Sequence, residues 1–407
     1  MTESTAHLPA PGTTPTVTPG RFAAQLRDDP DLHGDAADLL LLDTAEAWLD
    51  TAAEHGRPMH AVAVLDDRSD SLTPALSAGT PEMTRVRRFR DEDPATDPLD
   101  ERLLTGAELV LMPLPRSLET LEEWAALIAR SATPQVVVLA AGRDKHMTRS
   151  MNEVLSRHFT DVSAGRGRSK SRVLTARAPR RDAAAPRKRC RDYDVRAEWG
   201  LGAPLTLCAV GAVYGGDSLD PGTRFLLSTV LDDAEATAQL RSLAETGVPM
   251  VDLGCGNGTV AAVAALRCPD LRVLATDISA SAVASARLTA AANGVADRIE
   301  VLHDDGLLSL PDSSQHLILL NPPFHRGNAV DPTVAHRMIR QAGRALAPGG
   351  ALYCVWNSHL RHRPVLEAAV GPTLQLARNP KFTVTVSTRP VSRTAGHPVS
   401  GCTSPAA

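Results

Sequence analysis

Two groups of residues in this chain have types and spacings suited to chemistry. The first is Val-Pro-Met-Val-Asp-Leu-Gly-Cys-Gly-Asn-Gly at 248–258. An apolar run ends around Asp252, and Gly254, Gly256 and Gly258 follow before an Ala/Val-rich stretch. Glycines so placed allow a tight turn and bring backbone N–H groups close to a bound molecule. A carboxylate at Asp252 suits a cationic amine, taken directly or through water. The second group is Leu-Asn-Pro-Pro-Phe at 320–324, with Asn321 lying 69 residues beyond Asp252. Its two prolines fix the backbone and hold Asn321 extended. The Asn321 carboxamide oxygen and the Pro322 carbonyl can then both accept from one exocyclic NH₂. That turns the nitrogen lone pair toward an electrophile, so transfer rests on positioning more than on acid–base catalysis. Phe324 can stack on a planar base or amide. Asn321, Pro322 and Phe324 are the candidate catalytic residues. His325 and Arg326 follow them and could meet substrate or a phosphate.

Positioning these groups requires strands that end side by side. The sequence predicts strands over Met250–Leu253, Arg272–Thr276, Ile299–His303, Leu317–Leu320, Ala351–Val355 and Thr383–Ser387. Helical stretches fall between them, near 259–267, 280–293, 332–346 and 363–370. Such alternation means a mostly parallel sheet with helices on both faces, and ligands bind beyond the carboxyl ends of its strands. The second strand closes on Asp277, where a carboxylate can accept both hydroxyls of a ribose. The third closes on Asp304 and Asp305, where a carboxylate could meet an adenine amino group; Asp305 is preferred, with Asp304 the alternative. An amine, a ribose and an adenine together describe S-adenosylmethionine. Asp252, Gly254, Gly256, Gly258, Asp277 and Asp305 are therefore the candidate cofactor residues. A dinucleotide fold competes for such a loop, but the spacing is Gly-x-Gly-x-Gly, and an acid before the loop suits an ammonium better than a pyrophosphate.

The plan occurs twice. Ala37–Asp43 sits where Val248–Asp252 does, at an offset of 209, and Leu109–Pro115 matches Leu317–Pro323 at 208. Asp67, closing Ala61–Leu65, falls near Asp277 at 210. Ser171–Arg177 ends the first copy as Lys381–Ser387 ends the second. In the first copy Ala45, Ala47 and Leu49 stand at the three glycine positions, Pro113 replaces Asn321, and Arg116 replaces Phe324. That copy is a retained fold without a cofactor site. The expected fold class is α/β, two tandem Rossmann-like domains with doubly wound, mostly parallel sheets, the N-terminal copy degenerate. The expected boundaries are a disordered tail at 1–20, the degenerate, substrate-recognising domain at 21–178, a basic linker at 179–196, the catalytic domain at 197–390 and a second tail at 391–407.

Composition agrees with two domains: 407 residues, 43% hydrophobic but only 3% aromatic, so the cores must be built of Ala, Leu and Val. The net charge of −4 argues against wholesale coating of nucleic acid. Between Gly165 and Arg196, however, twelve Lys/Arg face three Asp/Glu, an RNA-phosphate contact if it is more than a solvated linker. Arg85–Arg90 is a smaller basic run. The six cysteines form no CxxC pair and no metal spacing, so no metal is expected and reduced thiols of a cytoplasmic protein are. No apolar segment approaches membrane-spanning length, and the N-terminus does not read as a secretory signal.

At Asp252–Gly258, Asp277, Asn321–Gly327, Pro348–Gly350 and Asn379–Phe382 the chain resembles the methyltransferases of the MTS (methyltransferase small) group. More narrowly, it is similar to the bacterial ribosomal RNA guanine-N2 methyltransferases. Leu219-Asp220-Pro-Gly-Thr-Arg resembles a leading segment of that family, with Tyr214-Gly215 where Phe-Ser is usual. The resemblance covers about 205–388. It implies S-adenosylmethionine as cofactor, ribosomal RNA or a ribosomal subunit as partner, N2-methylguanosine as product, and Asn321 and Phe324 as the residues holding guanine; a monomer is expected. It also implies a tandem fold whose first copy does not bind the cofactor. Asn357–Leu360 leans toward the large-subunit type and His325–Gly327 toward the small. Protein-glutamine and adenine-N6 methyltransferases use a similar turn, and an RNA-binding assembly factor that kept the fold is the non-enzymatic alternative.

Overall fold

Runs such as Val62-Ala63-Val64-Leu65 and Leu317-Ile318-Leu319-Leu320 carry no polar alternation and are buried throughout. Strands of that kind need helices on both faces of their sheet. The computed structural model describes residues 14–29, 32–67, 69–79, 85–96, 99–182, 189–211, 213–323 and 332–391. The chain forms two compact units. One comprises Met1–Cys190, Cys208–Gly216 and Ile278–Ser285; the other comprises Arg191–Leu207, Asp217–Asp277 and Ala286–Ala407.

The first sheet is built from α1 (Arg21–Asp28), α2 (Ala36–Glu54), β1 (Ala61–Leu65), α3 (Leu72–Gly79), β2 (Arg85–Phe89), α4 (Glu101–Leu104), β3 (Leu109–Pro113), α5 (Leu118–Ser131), β4 (Val137–Arg143), α6 (Arg149–His158), β5 (Phe159–Ala164) and β6 (Ser171–Pro179). Its order is β2-β1-β3-β4-β6-β5. The first four strands run parallel, and β6 is antiparallel to both β4 and β5. Val62, Val64, Leu109 and Leu111 bury against α1 and α2, while Ala63, Leu65, Val110 and Met112 bury against α5 and α6.

A two-stranded ribbon follows, β7 (Arg189–Tyr193) with β8 (Leu205–Ala209), flanking α7 (Arg196–Trp199). The expectation of reduced thiols fails here. The ribbon holds the Cys190 and Cys208 Cα atoms 4.1 Å apart, and the two are disulfide-bonded. Cys255, Cys268 and Cys354 are free.

The second sheet comes from α8 (Pro221–Asp232), α9 (Ala234–Thr246), β9 (Met250–Leu253), α10 (Thr259–Arg267), β10 (Val273–Asp277), α11 (Ala280–Ala292), β11 (Ile299–His303), β12 (Gln315–Leu320), α12 (Pro332–Ala345), β13 (Leu346–Asn357), α13 (Arg363–Ala369), β14 (Thr373–Arg378) and β15 (Phe382–Thr388). Its order is β11-β10-β9-β12-β13-β15-β14, with β15 antiparallel to its two neighbours. Both sheets therefore finish in the same antiparallel pair. Matched from that edge, β1 answers to β9, β2 to β10 and β3 to β12; β11 has no counterpart among the described residues.

This corrects the register read at the start of the first copy. Ala37–Asp43 is not a strand but part of the 19-residue helix α2. Asp35 opens that helix with a capping box, accepting from Ala37 and Asp38 while its own N–H donates to Asp38. Ala45, Ala47 and Leu49 are thus helical and match no glycine. Asp67, following β1, belongs with the glycine loop after β9 and not with Asp277. The leading tail is also shorter than expected: Val17 packs on the core, and Gly20 N–H donates to the buried Asp43 at 2.8 Å. Residues 1–13 and 392–407, expected as tails, lie outside the described residues, as do 183–188 of the basic linker.

Candidate active site

Strand pairing alone sets most of the site. β9 lies between β10 and β12, with Leu253 level with Thr276 on one side and with Leu320 on the other. The next residue of each strand, Asp277, Gly254 and Asn321, therefore stands in one row at the carboxyl edge. Adjacent strands are about 4.8 Å apart, so the glycine loop and the catalytic turn open within about 10 Å of one another. β11 extends the row, pairing His303 with Asp277 before Asp304 and Asp305.

The loop after β9 is a chain of left-handed glycines, Gly254 at φ 72°, Gly256 at 53° and Gly258 at 78°. Gly256 faces open space: a Cβ there would meet nothing within 4 Å, leaving the room a ligand needs. Gly258 is packed instead, since a Cβ would lie 2.8 Å from the Ala286 Cα on α11. The Gly254 and Cys255 N–H groups both donate to the Thr276 carbonyl. Gly256 N–H donates to Asp277 Oδ2 at 2.9 Å, so the second-strand acid also holds the loop. Asn257 closes it, donating to the Ser218 carbonyl and accepting from Thr259.

Asp252 is 3% exposed, and its Oδ2 accepts the Ala261 N–H in the first turn of α10 at 3.0 Å. Burial pushes its carboxyl up to about 7; the Ala261 hydrogen bond opposes this, and the charge of Asp277 adds to it. A carboxylate held this way gains from a nearby cation. The two candidates on the third strand separate cleanly. Asp304 is buried and accepts from both the N–H and the hydroxyl of Ser309, so it is committed to its own turn. Asp305 pairs with Arg337 of α12 at 2.7 Å and is the more accessible acid.

Asn321 donates through Nδ2 to Asp220 Oδ1 at 2.9 Å and to Thr223 Oγ1 at 2.8 Å. Its Oδ1 is buried and has no hydrogen-bond partner among the described residues. Pro322 is buried and Pro323 exposed. Phe324, His325 and Arg326 lie outside the described residues. The structure thus brings Asp252, Gly254, Gly256, Gly258, Asp277 and Asn321 to one edge, with Asp305 on the neighbouring loop. Asp220, Thr223, Asn257 and Arg337 are site residues that the sequence does not single out. Asp220, Thr223 and Asn257 fall within segments that it marks, and nothing local ties the first two to Asn321.

The methyltransferase small domain model matches residues 204–386, and the RLMG N-terminal domain model matches 21–180. The ribosomal RNA large subunit methyltransferase G of Streptomyces coelicolor is 33% identical over 350 residues, covering 79% of this chain and 86% of that protein. The chain belongs to the methyltransferase G family. The Pseudomonas entomophila member of that family is 31% identical over 373 residues, covering 88% of this chain and 93% of its own. Among solved structures, the T. thermophilus 16S rRNA N2 G1207 methyltransferase, in complex with AdoMet and guanosine, superposes with a TM-score of 0.65. It is 20% identical, with 94% of this chain and 97% of that one covered, and so shares the fold. In this methyltransferase G chain the residues present fit S-adenosylmethionine: a buried acid for its ammonium, open space over Gly256, and acids at the ends of the next two strands for ribose and adenine. Among the described residues no group of His, Cys, Asp and Glu could hold a metal ion, and no helix is long and apolar enough to cross a membrane.

Proposed function

We propose that this protein methylates the exocyclic N2 of a guanine in large-subunit ribosomal RNA. The observation that carries the reading is the Asn321 carboxamide oxygen, buried, unpartnered among the described residues, and one strand from the glycine loop. An acceptor in that place suits a substrate NH₂. The cofactor supplies an electrophilic methyl on a sulfonium. Asp252 holds its ammonium, Asp277 its ribose and Asp305 its adenine. Asn321 Oδ1 and the Pro322 carbonyl accept from the guanine amino group, which leaves the nitrogen lone pair aimed away from both. Phe324 stacks on the base. The large subunit is chosen because the curated relatives carry that name; guanine N2 is chosen because the full-length structural neighbour is named for it.

The first unit is the substrate-recognition domain in this reading. β4 ends at Arg143 opposite Ser171, where β6 begins. The two loops at that edge expose Lys145, Arg166 and Lys170, and α6 opens on the exposed Arg149. Such a cluster matches a phosphate backbone. The protein then acts in the cytoplasm, on RNA or on an assembled subunit. The test is transfer of radiolabelled methyl from S-adenosylmethionine to separated subunits and deproteinised rRNA from cells lacking the protein, followed by nucleoside chromatography. Label eluting as N2-methylguanosine is expected. Label that survives RNase but not protease would place the protein with the glutamine methyltransferases, and label in N6-methyladenosine with the adenine enzymes.

A further inference from the structure

The polarity of the Asn321 amide is set from outside the catalytic turn. A carboxamide is nearly symmetric in shape, and rotation by half a turn exchanges its acceptor for its donor. Asp220 is the N-cap of α8, and its Oδ1 accepts both the Thr223 N–H at 2.8 Å and the Asn321 Nδ2 at 2.9 Å. The Thr223 hydroxyl accepts from the same Nδ2. A rotated Asn321 would place Oδ1 against the Asp220 carboxylate, oxygen to oxygen at hydrogen-bonding distance. Two acceptors with no proton between them repel, so this orientation is closed. Gly222, between the two, brings the helix start close: a Cβ there would lie 3.5 Å from Asn321 Oδ1 and 3.3 Å from the Phe382 ring.

We propose that Asp220 and Thr223 are positioning and specificity-determining residues, which lock Asn321 so that it presents only an acceptor to the incoming group. The negative charge of Asp220 is the source of the selectivity. The site thereby accepts an amino group and rejects a ring that offers a carbonyl oxygen at that place. This rests on the function proposed above, and two kinds of readout keep the claims apart.

Asp220→Asn keeps the side-chain shape but removes the charge: with its oxygen on the Thr223 N–H it still accepts from Asn321, and turned over it donates toward Asn321 at the cost of the cap, so the amide pair adopts either polarity. We expect kcat for methyl transfer to rRNA to fall about tenfold or more, with the dissociation constant for S-adenosylmethionine changed less than about twofold. Thr223→Val, which keeps the charge and removes one acceptor, gives a smaller fall. Asn321→Asp sets two carboxylates against each other and abolishes turnover. Combining it with Asp220→Asn restores a locked acceptor, because the carboxamide introduced at position 220 then donates to the carboxylate introduced at position 321. The double variant should recover at least about tenfold over Asn321→Asp alone. Residues that merely support the fold give additive losses; additive losses, or an unchanged kcat for Asp220→Asn, overturn the proposal. The lock is also read without RNA, in protein labelled with ¹⁵N-asparagine. The Asn321 side-chain NH₂ should exchange slowly in the natural protein and fast in Asp220→Asn. Fast exchange in the natural protein overturns the lock. Slow exchange in a protein that methylates no RNA sustains the lock and overturns the proposed function.

Discussion

Asp252 should make cofactor binding depend on pH in a way few surface groups could. Its carboxyl is buried, and burial lifts it to about 7. The ligand group it is proposed to hold is an ammonium, which binds the ionised form. Below about pH 7 binding must first remove a proton from Asp252, so affinity weakens as pH falls. With the free carboxyl at about 7, the apparent dissociation constant should rise about tenfold at pH 6 and about thirtyfold at pH 5.5, relative to pH 8. Above about pH 8 the ligand's own amine loses its proton, so affinity declines again. The expected profile is a maximum between about pH 7 and pH 8.

The apo protein should show the opposite trend. A carboxyl raised from 3.8 to about 7 binds its proton more tightly in the folded state. That contribution to stability is greatest at low pH and is lost as pH rises from about 4 through about 7, a difference of about 4 kcal/mol. Calorimetric titration with S-adenosylmethionine from pH 5.5 to 8.5, in buffers of different ionisation enthalpy, reads both the affinity and the proton released. Asp252→Asn should bind more weakly at pH 8 and lose the acid limb. A flat profile between pH 5.5 and 7, or the same acid limb in Asp252→Asn, would refute the assignment.

Asn321→Ala should lower kcat about a hundredfold or more while leaving cofactor affinity unchanged, measured by transfer kinetics beside calorimetry. Gly258→Ala combines a left-handed backbone with a Cβ 2.8 Å from Ala286, and should cost about 2–4 kcal/mol in thermal unfolding. Reversing Lys145, Arg149, Arg166 and Lys170 to Glu should weaken RNA binding and flatten its salt dependence by about 0.7–0.9 in slope for each phosphate no longer neutralised. An unchanged slope would place the RNA elsewhere.

The legible part of this fold is the part written in short-range pattern. β9 and β12 are apolar runs closed by glycine or proline, and both begin and end within two residues of where the pattern puts them. β14 escapes the pattern because it is half-exposed and carries Gln375 and Arg378, so nothing marks it until β15 pairs with it. The leucine run of α2 misleads because a short apolar stretch suits a buried strand as well as a helix. The Asp35–Asp38 capping box is the signal that decides it. Asp220 illustrates the harder limit. It looks like a helix cap, and it is one; its hydrogen bond to Asn321 spans 101 residues, a relation that no local pattern contains.

The proposed function places the cofactor in the second copy alone, and the difference between the two copies gives a physical reason for that. With Leu111 set against Leu319, the strand registers place Val64 at Asp252 and Asp66 at Gly254. The backbone turn has persisted: Asp66 keeps a φ of 55° beside 72° for Gly254, although an aspartate adopts it less readily than glycine. The chemistry has not. Val64 is fully buried and needs no partner, whereas Asp252 is a carboxylate in the same kind of surroundings. Asp67, just beyond, accepts from the N–H groups of Ser71, Leu72 and Thr73 and from the Thr73 hydroxyl, which commits it to starting α3. Asp252 accepts the Ala261 N–H and stays close to protonation at neutral pH. A buried acid so poorly satisfied weakens the fold unless a bound cation offsets it. Where no ligand is held, replacement by an apolar side chain is favourable, and the first copy carries that replacement. In the reading proposed above, Asp252 then marks the second copy as the one that binds, on grounds of stability as much as of chemistry.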